Sequence, residues 1–262
     1  MISRFLVFAA ILAVAVAPLN ATGTLIPGLC PTGYALYSNG CGSILPVGSA
    51  TVDGNYTYTY TYNNGAGGTG SGSGNAYVLS QDLVAGSIGF GNPTVGWATG
   101  PTANWVSVTN STHPIPGANV GSPDINATVN YSINFNLTGF DLSTVVISGA
   151  WTADDLGLGI LVNGHLISGT ALPTSGNPWD QVYSFAFNSS TPGFTSDLHS
   201  GVNTLKFSVD QVDNNYDGLI VSALTGNGIL TVNEGGAGVP EPGSILLIAT
   251  GLGIVALRRR RA

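Results

Sequence analysis

Alternation of apolar and polar residues with a period of two is the feature that most constrains the fold of this chain. In residues 129–137 an apolar side chain stands at every odd position, and asparagine or serine stands between. Because successive side chains of a strand point to opposite faces, this pattern predicts a strand with one dry and one wet face. Residues 183–187 and 205–209 follow the same rule, whereas residues 195–200 make at most one helical turn. We therefore predict an all-β fold, a two-sheet antiparallel β-sandwich of the jelly-roll kind.

A second alternating segment is made of tyrosine and threonine. Tyr56, Tyr58, Tyr60 and Tyr62 fall on one face of the predicted strand. They form either an aromatic platform for sugar rings or an aromatic ladder in the core, and both interpretations stay open. The Gly/Ser-rich residues 63–75 that follow are expected to form a flexible loop. Further on, Asn163-Gly164 predicts a tight hairpin.

The first 21 residues have the layout of a secretory signal peptide. Arg4 provides a basic start, residues 5–17 are apolar, and small residues follow up to Ala21. This order is typical of a cleaved export signal, although an N-terminal membrane anchor is the alternative. We expect the segment to be helical and to be removed near Ala21.

The other end of the chain carries three signals in a fixed order. The motif Val239-Pro240-Glu241-Pro242 precedes an apolar run at 245–257, and a basic stop closes the chain with Arg258, Arg259, Arg260 and Arg261. As a helix the run measures about 20 Å, against roughly 30 Å for the hydrocarbon core of a bilayer. Arginine residues next to a membrane-spanning segment keep that end of the segment in the cytoplasm. This predicts a short hydrophobic helix that anchors the chain transiently in the inner membrane.

The order of motif, apolar run and arginine cluster resembles the PEP-CTERM sorting signal, a tail that is also labelled ice-binding protein C-terminal domain. The resemblance implies recognition by exosortase, with the secretion machinery as a further partner. It also implies removal of the tail and residence at the cell surface or in the extracellular matrix.

Charge excludes one class of partner. Residues 22–239 contain twelve acidic residues and a single base, Lys206, which gives a formal charge of −11. A protein that neutralises phosphates needs clustered lysine and arginine, so nucleic acid is excluded as a partner. Polysaccharide or calcium suits such a surface better, although solubility alone also explains it.

The two cysteines, Cys30 and Cys41, are expected to form a structural disulfide, since the chain is exported. The segment that this bridge would hold in place is the second part of the predicted domain layout. The predicted layout is a signal peptide at 1–21, a disulfide-clipped segment at 22–52, a β-jelly-roll domain at 53–233, a linker at 234–239 and the sorting anchor at 240–262.

A second resemblance covers the middle of the chain. Trp151-x-x-Asp154-Asp155, Asn163-Gly164 and the Gly-Val-Asn-Thr-Leu run at 201–205 occur in the order found in a jelly-roll domain often joined to such tails. That domain is similar to galactose-binding-like and carbohydrate-binding modules. The resemblance implies the fold. It leaves three functions open, which are sugar binding, adhesion and service as an inert spacer domain.

Two sets of side chains are candidate sites. Asp213, Asn215 and Asp217 reproduce the first half of a calcium loop, although an ordinary hairpin turn explains the same residues and Leu224 stands where a closing acid is expected. Trp179 with Asp180 is the best candidate for stacking on a sugar, and burial over the end of the sandwich is the alternative. No cofactor other than calcium is expected.

No set of residues has the spacing of a catalytic site, so we expect no catalytic residues and no enzyme activity. The predicted function is an exported, non-enzymatic protein that binds glycan or exopolysaccharide through its jelly-roll domain. The alternative is a structural matrix or adhesion protein without a defined ligand pocket.

Overall fold

The computed structural model describes residues 23–37, 40–46, 51–63, 68–79, 103–109, 126–211 and 218–231. Within these ranges the chain is mostly β, which confirms the predicted class. The strands are β1 (Thr24–Leu25), β2 (Tyr34–Tyr37), β3 (Gly40–Ile44), β4 (Val52–Asn63), β5 (Thr69–Val78), β6 (Val106–Ser107), β7 (Asn126–Asn136), β8 (Val146–Asp154), β9 (Leu156–Val162), β10 (His165–Leu166), β11 (Tyr183–Phe187), β12 (Val202–Gln211) and β13 (Gly218–Gly228).

Helical structure in the described ranges is limited to single turns. Two are 3₁₀ turns, Leu142–Thr144 and Pro178–Asp180, and one is the α-helical turn α1, Phe194–Asp197. The turn α1 confirms the single helical turn expected near residue 195. The two predicted terminal helices, of the signal peptide and of the sorting tail, lie outside the described residues.

One continuous antiparallel sheet contains most of the strands. Its order is β10-β9-β12-β7-β4-β5-β6-β13-β8-β11, and β1 pairs with β13 beside this path. Strands β2 and β3 form a separate hairpin. Both halves of the large sheet therefore consist of strands from distant parts of the chain.

The sheet folds over so that its two halves face each other. Trp151 on β8 and Phe207 on β12 belong to opposite halves, yet their ring centroids lie 5.5 Å apart. Phe185 on β11 also meets Phe207, at 6.1 Å. The apolar core lies between the halves, as the predicted sandwich requires, and Trp151 is buried there as its strand phase predicts.

Strand β7 shows why alternation specifies this architecture. Its odd-numbered residues from Ala127 to Phe135 are buried, and the residues between them are more exposed. Burying each large apolar side chain stabilises the fold by about 1.5–3 kcal/mol. A slip of one residue would turn this whole set toward water, so the core fixes the register.

The predicted hairpin at Asn163-Gly164 is confirmed. The predicted loop at 63–75 is wrong over residues 69–75, and residues 64–67 lie outside the described ranges. Asn163 and Gly164 have φ of 50° and 92° and join β9 to β10, as a type I′ turn requires. Residues 69–75, in contrast, are part of β5 and pair along their whole length with β4. Composition predicted flexibility there, but a neighbouring strand supplies the pairing that Gly and Ser do not favour by themselves.

Candidate functional site: a tyrosine row on strand β4

Three tyrosines form a row along the inner face of β4. Tyr58, Tyr60 and Tyr62 have successive ring centroids 6.0 Å and 6.4 Å apart, with interplanar angles of 19° and 29°. Tyr60 is 8% exposed, whereas Tyr58 and Tyr62 are half-buried. We call these three residues the tyrosine row. Tyr56, the fourth tyrosine of the pattern, is fully buried and belongs to the core.

The row faces the inside of the sandwich because of its register with β7. Tyr58, Tyr60 and Tyr62 lie opposite Tyr131, Val129 and Ala127, all of which are fully buried. The core interpretation of the tyrosine pattern thus holds for part of it, and the sugar-platform interpretation stays a prediction. Tyr56 and Tyr60 are core residues, while Tyr58 and Tyr62 pack against the core and are only partly buried.

The glycines of β5 make room for these rings. Tyr58, Tyr60 and Tyr62 are paired in register with Gly74, Gly72 and Gly70. A Cβ atom on Gly72 would come within 2.6 Å of the Tyr60 ring, and one on Gly70 within 2.4 Å of the Tyr62 ring. The tyrosines therefore lie over backbone that carries no side chain. Sequence reasoning missed this contact, although the Gly-Ser alternation of β5 has the same period as the Tyr-Thr alternation of β4.

Two members of the row, Tyr58 and Tyr60, are uncharged at neutral pH. Burial, and then the neighbouring tyrosine hydroxyls, raise the pKa of Tyr58 and of Tyr60 above the ordinary value for tyrosine. Each residue therefore presents an apolar ring with a neutral hydroxyl that can donate and accept hydrogen bonds. This combination suits a neutral ligand that carries both C–H faces and hydroxyl groups.

A buried polar cluster fixes the start of β4 to the disulfide hairpin. The carboxylate of Asp53 accepts hydrogen bonds from the backbone N–H of Gly33 at 2.7 Å and of Asn55 at 2.9 Å. The Tyr56 hydroxyl donates to the carbonyl oxygen of Cys30 at 2.8 Å. Burial raises the pKa of Asp53 despite these bonds, which lower it. We assign this cluster a structural role.

The predicted disulfide between Cys30 and Cys41 is confirmed. Cys30 lies in the core, and Cys41 lies on the exposed hairpin β2–β3. Ile26 and Leu29, which precede the bridge, are also core residues. The N-terminal segment thus contributes to the core of the sandwich, and the bridge holds its hairpin in place.

Trp179 and Asp180 lie in the 3₁₀ turn on the outer face of the sheet, apart from the tyrosine row. Trp179 is half-buried against a small cluster of Leu79, Ala103, Trp105 and Ile220. Asp180 is exposed, and Thr152 donates a hydrogen bond to the carbonyl of Pro178 beneath the turn. Trp179 is therefore partly covered, and its stacking on a sugar stays a prediction.

The calcium candidates Asp213, Asn215 and Asp217 lie outside the described ranges. Asp154 and Asp155 are buried at the end of β8, and Gly218 pairs with Asp154. Among the described residues, His, Cys, Asp and Glu do not come together in groups of three that could hold a metal ion.

One histidine pairs with an acid at the end of the sandwich where β9 turns into β10. His165 Nδ1 lies 2.8 Å from Asp197 Oδ1, and the side-chain amide of Asn163 donates to the backbone carbonyl of Asp197. The His165 side chain is 69% exposed. These contacts hold α1 against the hairpin turn, so we assign the pair a structural role.

The sorting tail lies outside the described residues, and its assignment comes from comparison. Residues 238–261 match the family model described as PEP-CTERM protein-sorting motif. The tail carries a PEP-CTERM sorting motif. The motif indicates an exported, surface-directed protein that is sorted by exosortase. A comparison of the chain with curated proteins gives no match.

The PEP-CTERM match covers the tail alone, so the sandwich must be interpreted from its own geometry. Across the described ranges, helices are too short or too polar to cross a membrane. The apolar run at 245–257, where the transient anchor is predicted, is not part of those ranges.

Proposed function

We propose that this exported protein is a non-enzymatic glycan-binding protein of the cell surface or extracellular matrix, and that its ligand lies along the tyrosine row. The observation that carries the proposal is the geometry of Tyr58, Tyr60 and Tyr62, whose nearly parallel rings follow one another at about the same interval. Aromatic rings with a polar edge bind ligands that have an apolar face and hydroxyl groups. A sugar ring has both.

The charge of the protein narrows the class of glycan. The whole chain has a formal charge of −7, and residues 22–239 carry −11. Strongly anionic polysaccharides would be repelled at long range, especially at low salt. Tyr58 and Tyr60 of the row are themselves neutral, so the proposed ligand is an uncharged polysaccharide.

The test measures retention of the full-length protein, in mild detergent, on insoluble cellulose, chitin and cross-linked dextran. We expect the wild type to be retained on at least one matrix and Tyr58→Ala/Tyr62→Ala to be released. Tyr58→Phe keeps the ring and should bind. Trp179→Ala is the matched control, because it removes an aromatic side chain of the outer face.

Three results would overturn the assignment. Absence of retention on every matrix, with and without calcium, contradicts glycan binding. Loss of retention in Trp179→Ala with full retention in Tyr58→Ala/Tyr62→Ala moves the site to Trp179 and Asp180. Equal retention of all variants shows that the matrix contacts another surface.

Calcium assistance is a separate part of the proposal. Asp213, Asn215 and Asp217 would supply alternating oxygen ligands. Calorimetry with calcium chloride should show heat of binding that Asp213→Asn/Asp217→Asn abolishes. An unchanged melting temperature at millimolar calcium would remove the site.

We propose further that the tail at 240–262 anchors the chain transiently in the inner membrane until it is processed. Its apolar run is short for a permanent span, and the arginines that follow resist translocation. Mass spectrometry of the mature extracellular protein should find no peptide from 245–261. Recovery of that peptide would contradict processing.

A further inference from the structure

Within the described part of the chain, strand β5 has one paired edge and one edge that is mostly open. It pairs with β4 from Thr69 to Tyr77, whereas on its other side it meets β6 only at Tyr77 and Val78. Residues 69–76 therefore have no strand partner on that side within the described part of the chain. A strand edge of this length exposes a row of backbone N–H and C=O groups.

The open edge lacks the devices that usually prevent strands from pairing between molecules. Its sequence, Thr-Gly-Ser-Gly-Ser-Gly-Asn-Ala, contains no charged residue and no proline. Its register with β4 runs without a bulge from Thr69 to Asn75. Natural edge strands are usually short, charged, bulged or interrupted by proline. The β10 edge, for comparison, has only two residues.

We propose that a second copy of this chain pairs with the open edge of β5, antiparallel, about a two-fold axis at Gly72. In that register Gly70 lies opposite Gly74 of the second copy, and Ser71 lies opposite Ser73. The alternating sequence makes the edge self-complementary, since glycine meets glycine on the inner face and serine meets serine on the outer face. Two-fold symmetry of this kind is the commonest in homo-oligomers.

Charge and backbone chemistry both favour a copy of the same chain at this edge. Two acidic molecules repel one another, so their contact requires a neutral surface, and residues 69–75 provide one. Each edge supplies the donors and acceptors that the other lacks. Ser71 and Ser73 are exposed on the outer face and can form cross-strand hydrogen bonds.

The tyrosine row also points to this arrangement. The rings of Tyr60 and Tyr62 already extend over the glycines of β5, toward the open edge. If two copies paired at that edge, their two β5 strands would lie side by side and form a strip with glycine on its inner face. The tyrosine row of each copy would then flank this strip on one side. Glycine at 70, 72 and 74 keeps this strip free of side chains, and a continuous sheet would then cross from one molecule to the next.

The experiment compares the mass of full-length protein in detergent micelles by sedimentation equilibrium. We expect the wild type to be a dimer and Ser71→Lys/Ser73→Lys to be a monomer, with a Kd raised about tenfold or more by facing lysines. The matched control is Ser184→Lys/Ala186→Lys, which adds the same charge to exposed positions of the edge strand β11. The control should remain dimeric. Circular dichroism and thermal melting check that each variant is folded.

A cross-linking measurement keeps the proposal testable if the lysine variant does not fold. Ser71→Cys/Ser73→Cys should give covalent dimers with a short bifunctional thiol reagent, and Ser184→Cys/Ala186→Cys should not. A monomeric wild type overturns the proposal. So does a dimer that survives the lysines on β5, because association would then use another surface or the tail. Neither measurement depends on glycan binding, so the retention assay can fail while the dimer stands.

Discussion

Trp151 and Phe207 meet across the core at a ring centroid distance of 5.5 Å, with their planes tilted by 51°. Their strands, β8 and β12, lie far apart in the order of the sheet, with β7, β4, β5, β6 and β13 between them. The contact therefore exists only because the sheet folds onto itself. The contact joins the two halves of the sheet, and both side chains are fully buried there.

Truncation of Phe207 should be among the most destabilising changes in the chain. Phe207→Ala removes the partner of Trp151 and leaves a cavity, and we expect a loss of about 3–5 kcal/mol in the free energy of unfolding. Chemical denaturation followed by tryptophan fluorescence measures it. Val202→Ala, an exposed position on the same strand, should change stability by less than about 0.5 kcal/mol. Similar effects of the two changes would contradict the packing described.

The contact between Tyr60 and Gly72 predicts a non-additive pair. Gly72→Ala should destabilise the protein by about 1–3 kcal/mol, because the new methyl group meets the Tyr60 ring. In a Tyr60→Ala background the same change should cost much less, since the ring is absent. A double-mutant cycle in chemical denaturation checks this, with Ser73→Ala as the control. Additive effects would show that the ring does not lie over Gly72.

Loss of the disulfide should weaken the fold without abolishing it. Cys30→Ala/Cys41→Ala opens a loop closed over a separation of 11 residues, and the chain-entropy model gives a loss of roughly 2–3 kcal/mol. Reduction of the wild type should produce the same shift in the denaturation midpoint. If the reduced and oxidised proteins unfold at the same denaturant concentration, the bridge contributes nothing to stability.

The buried carboxyl of Asp53 predicts a pH dependence of definite sign. Its pKa in the folded protein is raised by burial above the value of 3.8. The folded state thus holds the proton more tightly than the unfolded state, and this contribution to stability falls as pH rises from about 4 through the folded pKa. The difference in unfolding free energy between the wild type and Asp53→Asn should therefore decrease between pH 3 and pH 7. A constant or growing difference would contradict the raised pKa.

The arginine cluster predicts a change in localisation. Replacing Arg258, Arg259, Arg260 and Arg261 with serine removes the charges that, in the proposed anchoring, hold the tail on the cytoplasmic side. We expect less protein at the cell surface and more in the medium, measured by fractionation and immunoblotting. Replacement by lysine keeps the charge and should preserve surface retention. Unchanged fractionation of the serine variant would show that the arginines are not the stop.

Strand prediction succeeded where one face of the strand is apolar, as in β7, and at the Asn163-Gly164 turn. It failed at β5, because glycine and serine give no burial signal of their own. The contacts that make residues 69–75 a strand come from the tyrosines of β4, which lie elsewhere in the sequence. For the candidate site, sequence identified the four tyrosines but not which of them would be covered. That depends on how far the second half of the sheet extends over β4.

The sequence by itself determined the class of fold, the disulfide and the export of the protein toward the cell surface. Alternation, two cysteines in an exported chain and the tail with its Pro-Glu-Pro motif are local patterns, and each has a local physical cause. Tertiary structure alone decided that Tyr56 is buried while Tyr58 and Tyr62 are only partly buried. It also decided that, among the described strands, none pairs with one side of β5 over residues 69–75. Both outcomes depend on which strands meet across the folded sheet, and pairing between distant strands follows from the packing of the whole core.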